Sequence, residues 1–352
     1  MLLSEFDYHL PEELIAQRPL EDRAGSRMLV VRRAERSWQD CVFRDLPRFL
    51  RPGDCLVVND SKVFRSRLYG RRAGVRALPV GEKNPARHEY LKGTVEVFLV
   101  RPHGDDPRVW QALVHPGRKM HIGERVYFDG GLEAEIISRG TFGERTLRFN
   151  YEGDLLEKID EIGHVPLPPY IRRGDEPADR ERYQTIFAAR PGSVAAPTAG
   201  LHFTPEVLDA CRAAGAEVAR VTLHVGLGTF QPVRTERIEE HRLHAEYYDV
   251  APEEAAKIRA ARRVVAAGTT SVRTIETVCR TGALRGDTSL YIYPGFEFAC
   301  TGAMLTNFHL PRSSLLMLVC AFGGTDLVLE AYRHAVEERY RFYSYGDCML
   351  LL

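Results

Sequence analysis

Residues 95–149 carry the runs VEVFLV (95–100), RVWQALV (108–114), RVYF (125–128), LEAEIIS (132–138) and RTLRF (145–149). Within each run apolar and polar side chains tend to alternate, the period of two that turns one face of a strand toward a core. His103-Gly104-Asp105-Asp106 and Asp129-Gly130-Gly131 punctuate the runs with turn residues. From about Leu68 to Phe149 the chain therefore reads as a small antiparallel barrel or sandwich.

Beyond Tyr151 the pattern changes to helix and strand in alternation. Helices are expected over 205–214, 252–262, 270–280, 313–322 and 326–340, and strands over 217–225, 264–267 and 289–293. That order describes an α/β layered domain. LVVND (56–60) precedes the β-rich stretch yet suits the α/β sheet better, so the β module reads as an insertion into the larger domain. Residues 77–92, rich in Pro, Gly and charge, are expected as a surface loop of that module.

Composition bounds the function. The 352 residues hold 48 basic and 48 acidic side chains, so no global field advertises a nucleic acid or a membrane. Seven scattered cysteines, none in CxxC spacing, argue against a disulfide framework and a structural zinc and fit a reducing cytoplasm. Glu5 and Asp7 stand where an export signal needs a basic start and an apolar run, and no apolar stretch reaches membrane-spanning length.

Candidate chemistry gathers in five loops. PGSVAAPTAGLHF (191–203) packs small residues and His202 ahead of a helix start written by Thr204, Pro205 and Glu206 and stopped by Gly215. Thr198 and His202 are then expected at a helix mouth, with Gly200 letting the backbone approach a ligand. LHVGLGTFQPV (223–233) ends a strand at His224 and turns on Gly226 and Gly228. His241, His244 and Glu246 stand in H-x-x-H-x-E spacing, either a weak metal-ligand pattern or a set of acid/base groups. AAGTTSVRTIE (266–276) joins Gly268, Thr269, Thr270, Ser271 and Arg273 at the opening of a helix, either an anion cradle or a capped helix with a salt-bridged arginine. The fifth, LTNFHLPRSSLLMLVCAF (305–322), sets Asn307 and His309 before an apolar helix. A basic stripe, Lys62, Arg65, Arg67, Arg71, Arg72 and Arg76, could meet phosphates or blunt a strand edge.

Taken in order, FDYHLPEELIAQRPLEDRAGSRML, GDCLVVNDSKVF, GHVPLPPYIRR, DRERYQTIFA, GSVAAPTAGLHFT, LHVGLGTFQPV, EEHRLHAEYYDV, GTTSVRTIE, LTNFHLPRSSLLMLV and the terminal YRFYSYGDCML resemble the S-adenosylmethionine:tRNA ribosyltransferase-isomerases of queuosine biosynthesis. The resemblance spans almost the whole chain and is weakest over 71–150. It implies a three-layer α/β/α large domain (1–67 and 151–352) with an inserted small antiparallel β-barrel domain (68–150). It also implies a reaction in which the ribosyl part of S-adenosylmethionine, a consumed co-substrate, moves onto 7-aminomethyl-7-deazaguanine at a tRNA wobble position. Epoxyqueuosine-tRNA, adenine and methionine are then the products, with a monomeric enzyme in the cytoplasm and no metal.

That chemistry assigns roles. The sulfonium acidifies the adjacent 5′ carbon, so a histidine base is wanted. His202 comes first, with His224, His241, His244 and His309 as competitors or proton shuttles and Thr198 beside them. Asp60 or Glu246 would assist the leaving adenine. Arg273 with Gly268, Thr269, Thr270 and Ser271 would hold the methionine carboxylate, and Gly200, Gly226, Gly228, Thr229 and Asn307 complete the S-adenosylmethionine site. Phe203, Phe230 or Phe308 could face the sulfonium. Lys62, Arg65, Arg67, Arg71 and Arg72 are the expected tRNA contacts. Departures from the family pattern include Gly302 where an acid is expected and Arg65-Ser66-Arg67 where Pro-Ala-Arg is usual. The alternatives are a metal-dependent hydrolase built on His241, His244 and Glu246, and a non-catalytic RNA-binding protein.

Overall fold

The structure, a computed structural model, describes residues 1–74, 93–140, 143–226 and 233–352. The expected 77–92 loop, Arg76, Gly228, Thr229 and Phe230 lie outside the described residues. The chain forms two compact units, one of Met1–Val63 with Leu167–Leu352 and the other of Phe64–Pro166.

In chain order the strands are β1 (Arg27–Arg32), β2 (Ser37–Val42), β3 (Asp54–Asn59), β4 (Ser61–Val63), β5 (Arg67–Arg72), β6 (Thr94–Pro102), β7 (Val109–His115), β8 (Arg125–Phe128), β9 (Glu133–Arg139) and β10 (Glu144–Asn150). They continue as β11 (Arg190–Ser193), β12 (Glu217–Leu223), β13 (Glu246–Asp249), β14 (Arg263–Ala267), β15 (Arg285–Thr288), β16 (Thr301–Asn307) and β17 (Cys348–Leu351). The α-helices are α1 (Leu155–Ile162), α2 (Asp179–Arg182), α3 (Pro205–Ala213), α4 (Pro252–Ala260), α5 (Thr269–Thr281), α6 (Ser314–Gly323) and α7 (Thr325–Glu337).

In the smaller unit β5–β10 close into a barrel, ordered β10-β7-β6-β5-β8-β9 with antiparallel neighbours throughout. Alternation in the sequence becomes alternation in space: Val95, Val97 and Leu99 of β6 point into a core shared with Trp110, Ile136 and Leu147. The unit runs past the 68–150 span of the alternating runs because α1 adds Leu155 and Ile159 to that core. The unit's entry and exit meet, with the Arg67 and His164 backbones hydrogen-bonded to each other in both directions, at 3.4 and 2.8 Å.

The larger unit carries a mixed sheet ordered β15-β13-β12-β3-β14-β16-β17-β1-β2. β3, buried along its whole length, lies in the middle of a parallel block with β12, β14 and β16. Successive side chains divide between two cores. Leu29, Val31, Val57, Ala266 and Met304 face one side, packed by α4–α7, while Met28, Val30, Leu56, Val58, Val265 and Leu305 face the other, packed by α3 and the Phe43–Phe49 turn. Three layers result, each fully buried Val or Leu contributing roughly 1.5–3 kcal/mol. Among the described residues no single helix is long and apolar enough to cross a membrane; α6 and α7 would qualify only as a pair bent by 115°.

Two sequence expectations need correction. The expected strand over 289–293 falls earlier, at β15, because pairing with β13 sets Thr288 against Glu246 and leaves Tyr291 and Ile292 outside the sheet. Cys279 and Cys300 are joined by a disulfide with a Cα–Cα distance of 6.6 Å. The fold brings the end of α5 and the approach to β16 together across 21 residues of separation, a meeting that cysteine spacing does not reveal.

Candidate active site

Because β3, β12, β14 and β16 are parallel, their carboxyl ends emerge at one edge of the sheet, the edge where open α/β sheets place their ligands. Asp60 and Ser61 follow β3, His224 follows β12, Gly268 follows β14 and opens α5, and Asn307 ends β16. The antiparallel β13 begins at that edge with Glu246, paired with Thr288 at the end of β15. Position 302 lies at the opposite, amino end of β16, where a Cβ would stand 2.7 Å from Arg263 Cγ. The Gly302 departure thus falls away from these groups.

Asn59, which no sequence motif singles out, ties the edge together. Its side chain donates to the Leu223 carbonyl (3.0 Å) and Thr270 Oγ1 (3.2 Å) and accepts from the Ser61 and Leu223 amides, both at 3.1 Å. Asp60 accepts from the Thr222 hydroxyl at 2.6 Å. His224 Nδ1 meets Ser61 Oγ at 2.7 Å, and its ring stacks near Tyr247 at 6.0 Å and 20°. A Cβ on Gly192 would fall 2.7 Å from His224 Nε2, so this glycine makes room for the imidazole. Burial lowers the His224 pKa, and nearby Asp60 pulls it the other way.

His202 is sealed in the protein. Its Nδ1 meets Ser26 Oγ at 2.9 Å and its Nε2 meets Asn307 Oδ1 at 3.1 Å, while Asn307 Nδ2 donates to the Tyr343 carbonyl at 2.9 Å. Desolvation holds its pKa down to about 4. His309 is similarly enclosed, with Nε2 at 2.7 Å from Thr306 Oγ1 and a pKa lowered by burial to about 3. Thr198–His202 forms a tight 3-10 turn, half-buried at Thr198 and enclosed from Ala199 onward, rather than an open ligand loop. A Cβ on Gly200 would meet Thr185 Cγ2 at 2.7 Å and Phe187 Cζ at 2.9 Å, so internal packing requires that glycine. Arg23, also absent from the sequence candidates, fixes the turn by donating to the Gln184 and Leu201 carbonyls at 2.9 and 3.1 Å. Phe203 and Phe308 are fully enclosed core side chains.

On the other face of β13, Glu246 and Arg273 form a buried ion pair. Glu246 Oε1 accepts from the Gly226 amide at 2.8 Å, and Arg273 donates onward to the Leu290 and Thr288 carbonyls at 3.0 and 3.3 Å. The salt-bridged reading of Arg273 therefore prevails over the free anion cradle. It also turns Glu246 away from the H-x-x-H-x-E metal pattern, and among the described residues no group of three His, Cys, Asp or Glu is placed to hold a metal. Glu246 and Arg273 sit in the wall of a small pocket with Leu243, His244, Tyr291 and Leu318. His241 packs edge-on to Tyr291 at 5.3 Å, and burial, then His244 and Arg242, lowers its pKa. Above the end of β14, Gly268 adopts φ +95° and α5 begins with Thr269, Thr270 and Ser271, all buried. A helix leaves its first N–H groups without intrahelical partners, and at the start of α5 this feature does not depend on Arg273.

The basic stripe is partly neutralised. Arg65 pairs with Asp160 (3.4 Å), Arg67 with Glu96 (3.0 Å) and Arg72 with the buried Glu124 (3.6 Å), whereas Lys62 and Arg71 are exposed.

A model of the family described as queuosine biosynthesis protein matches residues 3–351. The chain is 68% identical to the S-adenosylmethionine:tRNA ribosyltransferase-isomerase of Solibacter usitatus, over the full length of both. It is 49% identical, again over both full lengths, to the protein of that name from Symbiobacterium thermophilum. Among solved structures it is similar to the S-adenosylmethionine tRNA ribosyltransferase of Thermotoga maritima, with 38% identity, a TM-score of 0.54 and coverage of 99% of this chain and 100% of that one.

Proposed function

The chain belongs to the queuosine biosynthesis protein family, and from that membership we infer that it is an S-adenosylmethionine:tRNA ribosyltransferase-isomerase. It transfers and isomerises the ribosyl moiety of S-adenosylmethionine onto 7-aminomethyl-7-deazaguanine in the tRNA wobble position, releasing adenine and methionine. The observation that carries this reading is full-length identity of 68% to a relative of that name. The gathering of Asp60, His224, Gly268 and Glu246 at one sheet edge supports it.

With His202 and His309 enclosed, we assign the proton abstraction to the less buried His224, His241 or His244. Depressed pKa values at His224 and His241 keep each imidazole neutral, the form a base needs, through the neutral range. Glu246 is committed to Arg273, which leaves Asp60 as the carboxylate for the departing adenine. The opening of α5 at Thr269–Ser271 takes the methionine carboxylate, with Gly226 and Asn307 as framework. Exposed Lys62 and Arg71 are the readier phosphate contacts in the tRNA, and Arg65, Arg67 and Arg72 would have to exchange carboxylate partners to join them. The enzyme works as a cytoplasmic monomer without a metal.

The test is release of free adenine from S-adenosylmethionine with and without tRNA carrying 7-aminomethyl-7-deazaguanine. Adenine and methionine formed only with the modified tRNA is the expected result. Folded protein that forms neither would overturn the assignment.

A further inference from the structure

We propose that Tyr343 is a substrate-contacting residue, its hydroxyl donating a hydrogen bond to an acceptor on the bound S-adenosylmethionine. This inference rests on the ribosyl-transfer reading. Tyr343 belongs to the terminal run YRFYSYGDCML, to which the site above gives no chemical task.

Tyr343 has a φ of +72°, a left-handed conformation rare for a bulky aromatic residue. The surrounding chain enforces it. The Tyr343 N–H donates to the Phe308 carbonyl at 3.3 Å, and its own carbonyl accepts from Asn307 Nδ2 and the Gly346 N–H, both at 2.9 Å. The Asp347 carboxylate closes the turn by accepting from the Arg341 and Arg27 amides at 2.7 and 2.9 Å. Glycine would adopt this backbone at no steric cost. A tyrosine here implies that its side chain is required, and such strain concentrates at functional sites.

The side chain supplies the second, independent observation. It is only 5% exposed, its ring stacks on Tyr170 at 4.4 Å and 20°, and its hydroxyl is buried with no hydrogen-bond partner among the described residues. Three tyrosines around it differ: Tyr170 meets Ser344 Oγ at 2.6 Å, Tyr345 donates to Asp179 at 2.7 Å, and Tyr8 donates to the His309 carbonyl. A buried hydroxyl left unmatched costs stability unless something else satisfies it. Two of the three groups that hold the Tyr343 backbone, Asn307 and Phe308, are the last residue of β16 and the one after it, at the carboxyl edge of the sheet, where open α/β sheets place their ligands. So enclosed a position suits a small molecule and not an RNA backbone. Burial also pushes the phenol pKa upward, so the group stays protonated and acts as a donor.

Tyr343→Phe removes the oxygen alone. We expect kcat/KM for adenine release to fall 10-fold or more, and calorimetric affinity for S-adenosylmethionine without tRNA to weaken by a similar factor. The urea midpoint should stay at or above that of wild type, because no internal hydrogen bond is lost. Wild-type values for both turnover and affinity would sink the inference and leave the ribosyl-transfer reading intact, as would a lowered urea midpoint with unchanged affinity, the mark of an internal partner. Wild-type protein that neither binds S-adenosylmethionine nor releases adenine would overturn that reading, and this inference with it.

Discussion

His202 is kept neutral by burial, and this has a directional consequence for acid stability. Above pH 6.5 the imidazole is neutral in folded and unfolded chains alike. Between 6.5 and about 4 only the unfolded chain takes up the proton, so stability falls as pH falls, by on the order of 3 kcal/mol in all. Below about 4 both states are protonated and the loss is complete. His202→Asn should be less stable than wild type at pH 7.5 yet lose less stability between pH 7 and 4, as urea titrations at several pH values would reveal; parallel curves would contradict the account. Glu246→Gln should cost about 3–5 kcal/mol by leaving Arg273 buried without its counter-charge, a loss readable as a lower urea midpoint. At this scale sequence located the residues better than their duties. The sequence offers His202 as a base and Arg273 as either a carboxylate clamp or a salt-bridged arginine, but Ser26 lies 176 residues from His202 and Glu246 lies 27 from Arg273. No local pattern announces partners brought together by a sheet.

Helices and strands were more legible, because their causes are local. Thr204 caps α3 by accepting from the Val207 amide at 3.3 Å, Pro205 occupies the first turn, and Gly215 adopts φ +89° just past the end. The start of α5 depends likewise on Gly268, whose φ of +95° and ψ of 150° few residues other than glycine tolerate. A Cβ there would meet nothing closer than 3.6 Å, so Gly268→Ala isolates backbone strain from crowding. It should cost about 1–3 kcal/mol and weaken S-adenosylmethionine binding by tilting the first turn of α5. An unchanged urea midpoint would show that the backbone relaxes freely. The misplaced 289–293 strand has the opposite cause: its apolar residues serve a pocket wall and a core, and apolar content alone cannot tell these from a sheet.

For the whole molecule, the change from alternating runs to helix–strand alternation marked two units because burial has different periods in a barrel and in a layered sheet. Where each unit ends was less legible, since α1 is helical in pattern yet contributes its apolar face to the barrel core. Residues 64–166 have a closed ring of strands and their own core, so expressed alone they should fold and unfold cooperatively, giving dispersed amide resonances. A collapsed spectrum would show that the ring needs the rest of the chain. The mutual hydrogen bonds between Arg67 and His164 mean that this excursion leaves and rejoins at a single point. A segment whose two ends already touch is a detachable cassette: it can be cut out or exchanged by a splice at one spot, with no strand of the larger sheet rewired.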